Sequence, residues 1–146
     1  MKLTIREIQN LHLAFSKIPV VDHEDSFKFR YCLSKNISLL GKALETFKDI
    51  DKPELEEFNK YREAIQNVHA VHKNDSTKAI EEGRKVQDEF SEAIESMNKM
   101  ISDKEKLAST HEEDIEFYKW SGSDSILKEY DQSWFFLFDY IFDFNF

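Results

Sequence analysis

Residues 33–47, LSKNISLLGKALETF, place Leu33, Ile37, Leu40, Leu44 and Phe47 at alternating steps of four and three. An α-helix turns once in about 3.6 residues, so this spacing draws one apolar stripe along a helix and leaves Lys35, Ser38, Lys42 and Glu45 on the opposite side. Phe29, Cys32 and Leu39 widen the stripe, and Asp25 or Ser26 can cap its start. Such a seam is covered by packing against other helices. It sets the expectation for the whole chain, an all-α, antiparallel helical bundle.

Toward the N-terminus, Thr4 and Glu7 form a capping-box pattern, which satisfies two N–H groups that a first helical turn leaves unpaired. Ile5, Ile8, Leu11, Phe15 and Ile18 then make a second stripe, which Pro19 ends. Toward the C-terminus, Asp51-Lys52-Pro53 resets the chain, because proline suits a first helical turn and disrupts an interior one. Leu55, Phe58, Ile65 and Val68 mark a third helix, and Asn74-Asp75-Ser76 a turn or cap. Ile80, Val86, Phe90, Ile94, Met97, Ile101 and Leu107 mark a fourth helix. The pair reads as a long central helical hairpin, with one continuous kinked rod as the alternative.

At Asp114 the pattern changes. Ile115, Phe117 and Trp120 lack helical spacing and Ser121-Gly122-Ser123 is a turn signal, so the stretch reads as an irregular or briefly extended connector. Asp124 can cap a short helix carrying Ile126, Leu127 and Tyr130. Tyr130 to Phe146 then hold nine aromatics, and every even position from Trp134 to Phe146 is aromatic. That alternation has the period of a strand, whereas Leu137 with Ile141 and Asp139 with Asp143 have the i, i+4 spacing of a helix. The reading adopted is a helix to about Phe142, packed back on the first two helices to complete the core of a single domain spanning 1–146.

Composition agrees with a helical body: 34% of residues are charged, with only 3 Gly and 2 Pro among 146, where sheet-rich folds need many more turn residues. The lone Cys32 cannot form an internal disulfide. Charge arrives at Lys2, so the start does not resemble a signal peptide. The run from Trp134 to Phe142 is interrupted by Asp139 and falls far short of the roughly 18 residues that span a bilayer. A cytoplasmic protein with no membrane partner is expected. The net charge is −9, and residues 111–146 carry nine acids against Lys119 and Lys128, so most of the negative charge belongs to the C-terminal quarter. That balance disfavours nucleic acid, whose backbone is held by clustered cations.

His69 and His72 share the i, i+3 spacing of two metal ligands, but His23 and His111 are remote in sequence and nothing completes a site, so no metal is assigned. Paired carboxylates such as Glu56-Glu57, Glu81-Glu82 and Glu112-Glu113 lie in polar runs and read as solvated faces rather than acid–base pairs. No nucleophile elbow or phosphate-binding glycine loop is present, which excludes the common hydrolase and nucleotide signatures; no cofactor and no catalytic residue are assigned. Lys28, Tyr31 and Lys35 share one helix face and suit either a single-stranded nucleic acid or the chain's own acidic tail.

The opening Met1-Lys2-Leu3-Thr4-Ile5-Arg6-Glu7-Ile8-Gln9-Asn10-Leu11, the later Phe27-Lys28-Phe29-Arg30-Tyr31-Cys32-Leu33-Ser34-Lys35-Asn36, and Asp114-Ile115-Glu116-Phe117 resemble small helical proteins of unknown function encoded by tailed bacteriophages. The resemblance implies a phage-encoded accessory protein and brings no site residues with it. The expected function is a non-enzymatic protein-interaction module. It would bind a host or phage protein through an acidic, aromatic surface formed by Trp134, Phe138, Asp139, Tyr140, Phe142 and Asp143. The alternative is a virion structural or assembly component that forms a homo-oligomer through the same segment. A docking role for Phe146 is a weaker variant.

Overall fold

The computed structural model describes residues 1–143. The order is β1 (Lys2–Thr4), α1 (Ile5–Ser16), α2 (Ser26–Asp49), α3 (Lys52–Val71), α4 (Ser76–Glu89), α5 (Ser91–Thr110) and β2 (Glu112–Asp114), then 3-10 turns at Asp124–Glu129 and Gln132–Trp134, and α6 (Phe135–Phe138). The chain is all-α: helices pack on helices, and the sheet among the described residues is one short antiparallel pair, β1 with β2, in the register Leu3 opposite Glu113. No described helix is long and apolar enough to cross a membrane. The sequence reads as one domain, and the chain divides into two compact units. The first is Met1–Thr46 with the chain from Ala108 onward; the second is Phe47–Leu107.

In the first unit, the N-terminal box forms as expected: the Glu7 N–H donates to Thr4 Oγ1 at 3.2 Å and the Thr4 N–H to Glu7 Oε1 at 3.1 Å. Ile5, Ile8, Leu11 and Phe15 of α1 are buried, as are Phe29, Leu33 and Leu40 of α2. The tail closes over them with Leu137, Phe138, Ile141 and Phe142. Phe29, with no exposed surface, is the hub: rings of Trp120, Phe138, Tyr130 and Phe142 surround it at 5.3 to 5.8 Å between centroids. Each buried ring contributes roughly 1.5–3 kcal/mol of transfer free energy, which accounts for the density of aromatics in the last segment.

The tail helix is shorter than the sequence suggests. As an α-helix it ends at Phe138; a turn carries on to Phe142, whose N–H donates to the Phe138 carbonyl at 2.8 Å, and the Ile141 carbonyl accepts the Trp120 N–H of the connector at 2.7 Å. Residues 124–129 likewise form a 3-10 turn and no α-helix. The connector contains one properly extended piece, β2, and its irregular part is pinned by Asn36, the buried polar residue of the core. Asn36 Nδ2 donates to the Tyr118 and Cys32 carbonyls at 3.0 and 3.1 Å, and its Oδ1 accepts the Tyr118 N–H at 2.8 Å.

The second unit is the expected helical hairpin, with a break the stripe did not reveal. The fourth helix divides into α4 and α5 at Phe90, whose backbone leaves helical geometry (φ −100, ψ 19) while bonds from Phe90 to Val86 and from Ile94 to Phe90 carry the chain direction through. The half-buried positions recur every 3.5 residues on both sides. Leu55, Phe58, Tyr61, Ile65, Val68 and His72 line α3, and Ala79, Val86, Phe90, Ile94, Met97 and Met100 line α4 and α5. That period is the antiparallel coiled-coil repeat. Neither α3 nor α4 contains a fully buried side chain. Lys104 bonds Asp51 at 3.1 Å and lies 4.9 Å from the Phe47 ring centroid, tying the ends of the hairpin together.

Gly83 lies inside α4, and a β-carbon there would meet nothing within 4 Å. Glycine in a helix interior is about 0.8–1 kcal/mol less favourable than alanine. Gly83→Ala is therefore expected to stabilise the hairpin by roughly 0.5–1 kcal/mol in urea unfolding followed by helical circular dichroism. A loss of stability instead would mean that the seam needs a closer approach at residue 83 than the backbone shows.

Candidate interaction surface

The tail residues expected to meet a partner part company in the structure. Phe138 and Phe142 are core residues, 0% and 4% exposed, so the expectation that they face a partner is corrected: both rings are taken up by Phe29 and by each other. Trp134 and Tyr140 are half-buried, packed against the core, with Tyr140 5.1 Å from Phe117 between ring centroids. Asp139 and Asp143 are exposed. Phe144 and Phe146 lie outside the described residues.

What remains at the surface centres on a residue the sequence did not single out. Phe136, on α6, is 59% exposed, with Asp139 three residues on and the half-buried edges of Trp134 and Tyr140 in the same segment. One aromatic among several of its kind has no local mark of exposure. The available signal is the i, i+4 burial rhythm of 137, 138, 141 and 142, which leaves 136, 139 and 143 outside. Asp143 is not a bare charge. Its Oδ1 lies 3.7 Å from Lys119 Nζ, which also donates to the Tyr140 carbonyl at 3.0 Å.

Lys28, Tyr31 and Lys35 do share one face of α2, and they line a cleft of ≈ 250 Å³ with Cys32, Tyr118, Lys119, Trp120 and Ser121. The ammonium of Lys35 sits 5.0 Å from the Tyr31 ring and 4.9 Å from the Tyr118 ring, a double cation–π contact in place of the pairing with the acidic tail that the sequence allowed. Burial pushes the Cys32 thiol up and nearby Lys35 only partly opposes it, so the thiolate, the nucleophilic form, is disfavoured there.

His23 Nδ1 accepts the Asp25 N–H at 3.0 Å, which leaves the proton on Nε2, 3.1 Å from Ser125 Oγ. His72 follows the last turn of α3 as its C-cap, and His69 is exposed. Among the described residues no three His, Cys, Asp or Glu side chains are grouped to hold a metal ion. In the hairpin, Glu54 Oε2 is buried and accepts no hydrogen bond, a condition that costs about 1–3 kcal/mol when nothing relieves it. Compared with known proteins, the chain matches no family model, no curated protein and no solved structure.

Proposed function

We propose that this chain is a non-enzymatic protein-interaction module, an accessory protein of the tailed-phage kind that binds a host or phage protein in the host cytoplasm. The observation that carries the reading is Phe136. A phenyl ring 59% exposed, on a segment that otherwise buries its large apolar side chains wholly or in part, is the anchor a partner would cover. Asp139 and Asp131 are exposed on the same segment, and the surrounding C-terminal quarter is strongly acidic, so the partner surface is apolar at its centre and basic at its rim. Oligomerisation through the same segment, as in a virion component, has less support because Leu137, Phe138, Ile141 and Phe142 are already core.

The test is a photo-cross-linking aromatic amino acid placed at 136 in the full chain and irradiated in bacterial lysate. One discrete adduct is expected, competed away by unlabelled wild-type chain and weakened by salt. No adduct, or one that the wild-type chain does not compete, would sink the reading.

A further inference from the structure

The cleft beside α2 carries charge of the sign opposite to the chain's. The ammonium groups of Lys28, Lys35 and Lys119 line it together with the rings of Tyr31, Tyr118 and Trp120, and no carboxylate does, although the chain as a whole carries −9. Lys119 is shared with Asp143 at 3.7 Å. The side chain of Lys28 has no hydrogen-bond or ion-pair partner among the described residues.

Two of the cations are fixed in place. The Lys35 ammonium sits between the Tyr31 and Tyr118 rings, and Lys119 donates to the Tyr140 carbonyl at 3.0 Å. Tyr118 is in turn held through its backbone by Asn36. Long side chains ordered in advance have already given up the rotamer freedom that binding an anion would otherwise cost. The rings are open as well as anchored: Tyr31 is 61% exposed and Tyr118 47%, which leaves surface on which a planar group can stack.

We propose that this cleft binds a nucleoside monophosphate, its phosphate held by Lys28 and Lys35 and its base stacked on Tyr31. Lys28, Tyr31 and Lys35 stand on successive turns of one face of α2, so the ring lies between the two cations. Charge sets the number of phosphates. Three ammoniums against the one carboxylate of Asp143 leave a surplus of two, and a phosphate monoester carries about −1.5 to −2 at neutral pH. Size agrees, because ≈ 250 Å³ lies just below the range of about 300–1,000 Å³ that holds drug-sized molecules. A bare anion leaves the tyrosine rings uncovered. A long strand gains affinity by neutralising many phosphates, and the acidic C-terminal quarter, which supplies residues 118–121 of the wall, opposes that.

The experiment is an amide-NMR titration of the full chain with adenosine monophosphate (AMP) in metal-free buffer. Shifts are expected at residues 28–35 and 118–121, saturating with a Kd below about 1 mM. Inorganic phosphate should shift the same amides with weaker affinity, and adenosine should leave them unmoved. Lys28→Gln and Lys35→Gln should each weaken AMP about tenfold. Tyr31→Leu should abolish the preference for AMP over inorganic phosphate, and Tyr31→Phe should keep it, because phenylalanine still stacks. No shift at the cleft, a Kd indifferent to both lysine substitutions, or inorganic phosphate binding as tightly as AMP would each overturn the proposal. Decadeoxyadenylate binding on the order of a hundredfold more tightly than AMP would overturn it too, in favour of a single strand. Lys28 and Tyr31 are exposed, so their substitution leaves the core intact. Phe136 takes no part in these measurements, which stand or fall apart from the cross-linking result.

Discussion

Phe138→Ala is expected to cost the first unit about 3–5 kcal/mol, the range for emptying a fully buried phenyl site. The ring has no exposed surface and touches Tyr130 at 5.0 Å, Phe29 at 5.6 Å, Phe142 at 5.7 Å and Phe135 at 6.0 Å between centroids. These neighbours cannot all collapse into the vacated space, because Phe29, Tyr130 and Phe142 are each held by a further ring, and Tyr130 also by its hydroxyl donating to the Pro19 carbonyl at 3.0 Å. Both tryptophans, Trp120 and Trp134, belong to this unit, so their fluorescence follows its unfolding in urea while circular dichroism follows the helices of the whole chain. The fluorescence midpoint should fall sharply. Ending the chain after Ser133 removes Leu137, Phe138, Ile141 and Phe142 together and should leave the unit unfolded. A shift under about 1 kcal/mol for Phe138→Ala would place the ring outside any close-packed core.

The contrast between Phe138 and Phe136 shows where sequence reading works. Local chemistry was legible: the Thr4–Glu7 box, the α1 stripe, the α2 seam and the stop at Pro19 all depend on residues within a turn or two of each other. The tail offered two periods. The helical one describes burial, since 137, 138, 141 and 142 go inside, although the helix itself stops at Phe138; the alternation of aromatics at even positions described nothing, because Phe136 faces water and Phe138 does not. The break at Phe90 was hidden because the 3.5-residue rhythm continues through it. Pairing of Lys2 with Asp114 across β1 and β2 joins segments over a hundred residues apart, and three-residue strands carry no periodic signal of their own. The candidate surface was legible only as a region. That Lys35 would lie between Tyr31 and Tyr118 follows from the path of the connector, which residues 114–120 do not reveal on their own.

That path is held by Asn36. Asparagine is a poor helix former, yet here it stands in the interior of α2 with no exposed surface, because its amide is matched to both polar groups of Tyr118. Asn36→Leu keeps the volume and improves the apolar stripe, so on burial alone it should stabilise. It also leaves the Tyr118 N–H without a partner and the Tyr118 C=O with only the weak thiol donor of Cys32, 3.6 Å away, at about 1–3 kcal/mol for an unpaired group. The second effect is larger, and a net loss of roughly 1–3 kcal/mol is expected in tryptophan-monitored urea unfolding. Asn36→Asp separates hydrogen bonding from size. The introduced carboxylate still accepts the Tyr118 N–H, but it has no proton to give and faces the Cys32 and Tyr118 carbonyls, which together with burial raise its folded pKa above the unfolded value near 3.9. An acid with a raised folded pKa binds more protons folded than unfolded. The variant's deficit relative to wild type should therefore be smallest at low pH, where the protonated group can donate, and grow as pH rises through the carboxylate range. A deficit flat across that range would mean that water, and not Asn36, satisfies the connector, and the cleft beside Lys35 would then lose its fixed wall.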